Sequence, residues 1–320
     1  MTGVDTHLTS RGRCAGFVLA GVLVPCLSAW GQGAPAPAGL PEYARAFHRG
    51  EYPRAMALAA DRLKAEPADL QARIVRARAE AALGDFDAAL EGFREVLRIA
   101  PQDPDALYFV GITAGVLAEM EFDRLLKLAP ESARAHQLLG ESYQAQGRVR
   151  EAQAEYRAAL EADPQAVEVL TALGDLVRSD LGLSKEHLAE ARSYYSRAAE
   201  RAPQNYDALY GLGACDAYAG EHASAARSFE RAVKVAPDSA PAHLGLGISL
   251  LQTGRAESAV TALEAAARLE PRMREAHYNL GRAYHELGRS EEAQAAFAVA
   301  QELMREGEVP DADADPRRRP

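Results

Sequence analysis

Residues 133–166 read ARAHQLLGESYQAQGRVREAQAEYRAALEADPQA, and this stretch decides the fold. Leu139, Tyr143, Tyr156 and Ala159 fall at helical spacing on either side of Gly147. A glycine just past a helix takes the left-handed conformation that ends it. Pro164 stops the second run and fixes the direction of the chain beyond it. The small residues Gly140 and Ala152 let the two helices approach closely, and Tyr156 fills the space beside them. The stretch is a helix–turn–helix hairpin with one apolar face uncovered, which only stacking against similar hairpins buries.

The same pattern recurs along the chain. Prolines that end apolar helical segments stand at Pro67, Pro101, Pro130, Pro164, Pro203, Pro237 and Pro271, spaced by 34, 29, 34, 39, 34 and 34 residues. With the proline at position 32 of a 34-residue unit, position 8 is Ala77, Gly111, Gly140, Gly174, Gly213, Gly247 and Gly281. Position 15 is Gly50, Gly84, Gly147, Gly220, Gly254 and Gly288, and position 20 is Ala55, Ala89, Ala152, Ala225, Ala259 and Ala293. Position 24 is large: Phe93, Tyr156, Tyr195, Phe229, Leu263 and Phe297.

This register resembles the tetratricopeptide repeat, a helical hairpin of 34 residues with small residues at 8 and 20 and proline at 32. Residues 133–166, 240–273 and 274–307 carry it most fully. The resemblance implies an all-α fold, an α-α superhelix or solenoid of about eight hairpins over residues 41–307. The units are 41–69, 70–103, 104–132, 133–166, 167–205, 206–239, 240–273 and 274–307. Unit 104–132 is five residues short and lacks the turn glycine, so its two helices either run on or meet in a tight bend. Unit 167–205 carries five extra residues within RSDLGLSKEHL, between its helices. Residues 308–320 lack helical periodicity and read as a disordered tail.

The N-terminus has a different character. Arg11 and Arg13 precede an apolar run from Cys14 to Leu27, shorter than the ~20 residues a spanning helix needs. Ala29-Trp30-Gly31 supplies a small-x-small site, so residues 1–31 read as a secretory signal peptide. Leu23-Val24-Pro25-Cys26 resembles a lipoprotein box, except that proline replaces the small residue before the cysteine. A lipid anchor and an uncleaved signal both stay open as membrane attachments, and either route exports the remainder to the periplasm, cell envelope or exterior. Residues 32–40 form an extended Pro/Ala/Gly linker. Cleavage after Gly31 leaves Cys215 as the sole cysteine, which excludes an intrachain disulfide.

Composition bounds the function. Hydrophobic residues are 48% of the 320, enough for a packed core, and the formal net charge is −10. Such an acidic chain lacks the footprint of a nucleic-acid binder. No Gly-rich phosphate loop, HExxH, CxxC or GxSxG motif occurs, so neither a catalytic residue nor a cofactor is assigned.

The family resemblance further implies that positions 2, 5, 9, 12 and 13 of each first helix line a partner-binding groove. Here these are Tyr108 and Ile112; Gln137, Glu141 and Gln144; Asp175 and Arg178; Tyr210 and Tyr218; Leu244, Ile248 and Leu251; and Tyr278, Arg282 and His285. The set runs from amide and acidic to apolar and aromatic, suited to an extended segment or helix of another protein. Asn279 and Arg282 alone do not make the cationic clamp of the family's chaperone-binding members.

Five of the twelve tyrosines lie between Tyr194 and Tyr218. Tyr195 is core by the repeat pattern. Tyr194, Tyr206, Tyr210 and Tyr218 give an alternative reading, an aromatic platform for carbohydrate or cell wall. His136, His243 and His277 all occupy position 4, too far apart to ligate one metal, and are read as packing residues. Cys215 reads as a buried small hydrophobe. Asp216 falls at an apolar position, where a buried carboxylate needs partners: either its helix rotates locally and packs Tyr218 instead, the favoured reading, or Asp216 has a polar role.

Overall fold

The computed structural model describes residues 39–179 and 184–308, so the signal reading, most of the linker and the tail lie outside the described residues. It divides into two compact units between Glu131 and Ser132. Among the described residues there are only helices, with no strand.

The first unit holds α1 (Glu42–His48), α2 (Tyr52–Ala65), α3 (Leu70–Ala82), α4 (Phe86–Ile99) and α5 (Pro104–Leu128). The second holds five hairpins: α6 (Ala133–Ala145) with α7 (Val149–Ala162), α8 (Val167–Ser179) with α9 (Lys185–Arg201), α10 (Tyr206–Tyr218) with α11 (His222–Val235), α12 (Ala240–Gln252) with α13 (Ala256–Leu269), and α14 (Arg274–Glu286) with α15 (Ser290–Glu308).

Local chemistry sets these boundaries. Asp69, Asp103, Ser132, Asn205 and Ser239 each accept a hydrogen bond from the backbone N–H three residues on, capping the first helix that follows. Such a cap contributes about 1 kcal/mol. The turn glycine of the α6–α7 hairpin, Gly147, has φ of +70°, which a side chain resists. Proline carbonyls at the hairpin junctions are also capped. His243 Nε2 donates to Pro237 O at 3.0 Å, and His277 Nε2 donates to Pro271 O at 2.9 Å. Where position 4 is Leu170 or Leu209, Arg197 and Arg231 reach the carbonyls of Pro164 and Pro203 instead. His136 is buried against Glu155, 2.7 Å away. The position-4 histidines are therefore structural.

Packing follows the small-against-large logic. A Cβ placed on Gly140 would lie 2.6 Å from the Tyr156 ring, on Gly174 2.8 Å from Tyr195, and on Gly281 2.7 Å from Phe297. The Tyr195 ring is sandwiched between Gly174 and Gly211, and Phe229 between Gly213 and Gly245. Tyr195 and Phe229 thus each tie their own hairpin together and lock it to the next. Tyr156, Tyr195 and Leu263 are accordingly among the largest fully buried side chains.

The short third repeat resolves its two alternatives in favour of running on: α5 is one 25-residue helix. Its first half packs through Ala106, Phe109, Thr113 and Val116, with the Phe109 ring stacked on Phe93 at 5.2 Å. Its second half is largely exposed, including Met120, Phe122 and Leu128. With no turn glycine, nothing stops the helix at the point where the other repeats fold back.

The expected rotation around Asp216 does not occur. Asp216 stays buried, at 1% exposure, while Tyr218 is 61% exposed. Asp216 Oδ1 accepts from Arg192 Nε of α9 at 2.5 Å. The carboxylate is tolerated in the packed register because the adjacent helix supplies its counter-charge, and that bond holds the guanidinium above its ordinary range. Cys215 beside it is buried, and burial pushes its thiol up to about 11.

Candidate partner-binding surface

In the second unit, core tyrosines organise the polar groups of the first helices. Tyr156 is 1% exposed, yet its hydroxyl donates to Gln144 Oε1 at 2.9 Å. The Tyr195 hydroxyl donates to Asp175 Oδ1 at 2.6 Å and accepts from Arg178 Nε at 3.3 Å. Burial, with the Asp175 hydrogen bond second, raises the Tyr195 phenol far above its usual range, so it remains a neutral donor. Burial works against the charge on Arg178, but Tyr195 and Asp175 outweigh it and hold its pKa above the ordinary value. Position 12 of the first of these hairpins, and positions 9 and 12 of the second, are thereby fixed from beneath by the hydroxyl at position 24. Nearby, Gln137 accepts from Arg134 at 2.6 Å and donates to the exposed Glu141 at 2.8 Å.

Position 24 then becomes Phe229, Leu263 and Phe297, which carry no hydroxyl, and the surface turns apolar. Tyr210 is half-buried, stacked on Tyr206 at 5.8 Å and edge-on to Phe229 at 5.6 Å. Leu244 and Ile248 are half-buried. Tyr278 is exposed, 5.7 Å from the Phe297 ring. Arg282 is half-buried and donates to Asn279 Oδ1 at 3.2 Å, and His285 is exposed.

Three placements differ from the expected groove. Leu251 is buried in the α12–α13 core, because the apolar face of α12 is wide enough to take position 12 inward. Tyr218 sits at the turn end of α10, beside a crevice of about 600 Å³ lined also by Lys185, Leu188, Arg192 and Ser224. Tyr108 is exposed and Ile112 half-buried on α5 of the first unit, and they are described with that unit alone. Of the tyrosine group, Tyr194 is half-buried and donates to Glu190 at 3.1 Å, and Tyr206 shares a 2.6 Å hydrogen bond with Ser239. Of the five, Tyr218 is exposed, Tyr195 is buried, and the other three are half-buried.

Two crevices escaped the sequence reading. One, of about 680 Å³, lies between α11, α12 and α13 and includes Arg227, Glu230, His243 and Arg255. The other, of about 660 Å³, lies on α14 and α15 between Tyr278, Phe297 and Met304. Both arise where side chains of successive helices meet, which the repeat register alone does not locate. Among the described residues no group of His, Cys, Asp and Glu could hold a metal ion, and no helix is long and apolar enough to cross a membrane.

Stacked antiparallel hairpins with a side-chain-lined first-helix face define the class of helical-repeat interaction proteins. Tetratricopeptide-repeat family models match residues 70–112 and 133–176, and again 176–215, 216–266 and 244–312. The chain belongs to the tetratricopeptide repeat family. A crystal structure of the MamA protein aligns with a TM-score of 0.50 at 25% identity, over 56% of this chain and 96% of that one. MamA from Desulfovibrio magneticus RS-1 aligns with a TM-score of 0.50 at 20% identity, over 55% and 97%. YrrB, described as a TPR protein with an unusual peptide-binding site, aligns with a TM-score of 0.52 at 22% identity, over 57% and 92%. Membership and architecture together make the chain a protein–protein interaction scaffold.

Proposed function

We propose that the chain is an exported, non-catalytic scaffold or assembly factor of the cell envelope. It holds an extended segment or a helix of one partner protein along the first-helix face of its second unit. The observation that carries this reading is the pair of core tyrosines that fix Gln144, Asp175 and Arg178 from below. Side chains already ordered in the free protein lose little entropy when a partner arrives. The amide, carboxylate and guanidinium give directional contacts to a peptide backbone, and Tyr210, Ile248 and Tyr278 continue them with apolar anchors. YrrB, of the same fold, is described as having an unusual peptide-binding site, and this supports a peptide segment as the partner. Export rests on the basic, apolar and small-residue order of residues 1–31. The acidic balance disfavours nucleic acid, and membrane contact runs through an uncleaved signal or lipid anchor if at all.

The test is photo-cross-linking in fractionated cells from Ile248 and Tyr278, with the exposed Arg231 of α11 as a control. One dominant envelope protein, cross-linked from the first two positions and diminished by Tyr195→Phe, is the expected result. Equal labelling from Arg231, or a chain confined to the cytoplasm, overturns it.

A further inference from the structure

The third repeat contains both halves of a hairpin that it cannot close. Counted forward from Pro104, Gly111 is at position 8; counted back from Pro130, Ala118 is at position 20 and Phe122 at position 24. The five missing residues are positions 15–19, the turn glycine and the first turn of the second helix. In the hairpins of the second unit the position-8 glycine lies against the position-24 side chain: a Cβ added to Gly140 would fall 2.6 Å from Tyr156, and one added to Gly247 2.5 Å from Leu263. A Cβ added to Gly111 would meet nothing within 4 Å, and Phe122 is 39% exposed. Eleven residues of continuous helix hold the two about 16 Å apart along the axis, at 1.5 Å per residue. They cannot meet within one chain.

The face left open is one stripe at helical spacing. Leu107, Gly111, Ala114, Gly115, Ala118 and Phe122 are all exposed on α5. The stripe is small at its centre and large at its ends, and it complements itself. An antiparallel pairing that sets Gly111 against Phe122 of a second copy also sets Gly115 against Ala118 and Leu107 against Leu126. The arrangement is two-fold symmetric, because each contact occurs twice with the copies exchanged.

We propose that α5 pairs antiparallel with α5 of a second copy, each chain supplying the second helix that the other's third repeat lacks. Loss of the turn converts an intramolecular hairpin into a reciprocal intermolecular one, the logic of an exchange dimer. The small centre allows close helix approach, and antiparallel alignment opposes the helix dipoles favourably. A single helix pair is a small interface, so a monomer–dimer equilibrium at roughly 10–100 µM is expected.

Sedimentation velocity and light scattering of the purified chain over that range test the proposal. The native chain shifts from monomer to dimer. Phe122→Glu remains monomeric with unchanged circular dichroism, because the side chain it replaces is exposed. Copying the turn Gly147–Glu151 between Leu117 and Ala118 also gives a monomer, since Phe122 then reaches its own Gly111. Met304→Glu, on the exposed α14–α15 crevice, leaves the dimer intact. A native chain that stays monomeric at about 100 µM overturns the proposal, as does a dimer that survives both α5 changes or that Met304→Glu dissolves.

Discussion

The fourth repeat and the third are built from one pattern and end in different structures. In residues 133–166 the chain folds back at Gly147, and Tyr156 buries itself on Gly140. In residues 104–128 the same glycine-and-aromatic pair lies along a single helix, both members solvent-facing. Five residues at the turn separate these outcomes. Helical propensity alone leads to a continuous helix, and in the fourth repeat a residue able to take positive φ interrupts it. The small and large packing positions do not create the hairpin. They stabilise it once the turn has brought them together.

The largest effect expected from this contrast is on core truncation. Tyr156→Ala should cost about 3–5 kcal/mol in denaturant unfolding, whereas Phe122→Ala in the monomer should cost no more than about 0.5. Equal losses would mean that Phe122 is buried in the isolated chain, against its exposure here.

Overpacking comes next. Gly140→Val drives a side chain into the Tyr156 ring and should lower stability by about 1–3 kcal/mol. Gly111→Val meets open space and should leave the monomer's stability unchanged or slightly higher, since glycine is the poorer helix former. A thermal melt of both variants at low concentration decides this. At the turn itself, Gly147→Ala places a Cβ at φ of +70° and should cost on the order of 1–2 kcal/mol.

The smallest effect is a pH dependence. Burial lifts the Cys215 thiol to about 11, so the folded chain holds that proton more tightly than the unfolded one. Its contribution is complete below the ordinary thiol pKa of about 8.5 and is lost as pH rises toward the folded value. Stability should therefore decline between about pH 9 and 11, and less steeply in Cys215→Ala. Alkylation of the Cys215 peptide at neutral pH should be slow until the chain is unfolded.

Much of the candidate surface was legible in advance, because the repeat assigns each first-helix position a direction. Gln144, Asp175 and Arg178 are candidates for that reason. Their anchoring by Tyr156 and Tyr195 was not legible: the sequence distinguishes Tyr from Phe at position 24, but only packing shows where the hydroxyl emerges. Leu251 was misplaced for a related reason, since an apolar residue at position 12 turns inward when the neighbouring helix offers apolar contact.

The 34-residue register, the small and large positions and the missing turn are all covalent facts, and they determined the family, the hairpins and the odd third repeat. Local steric rules act through them without reference to distant contacts. Tertiary structure alone decided which buried polar groups are satisfied. Asp216 was expected to turn away from the core, yet it remains buried because Arg192, a full helix away in sequence, lies 2.5 Å from it. The cost of burying a charge depends on what stands beside it in space, and a linear pattern does not carry that information.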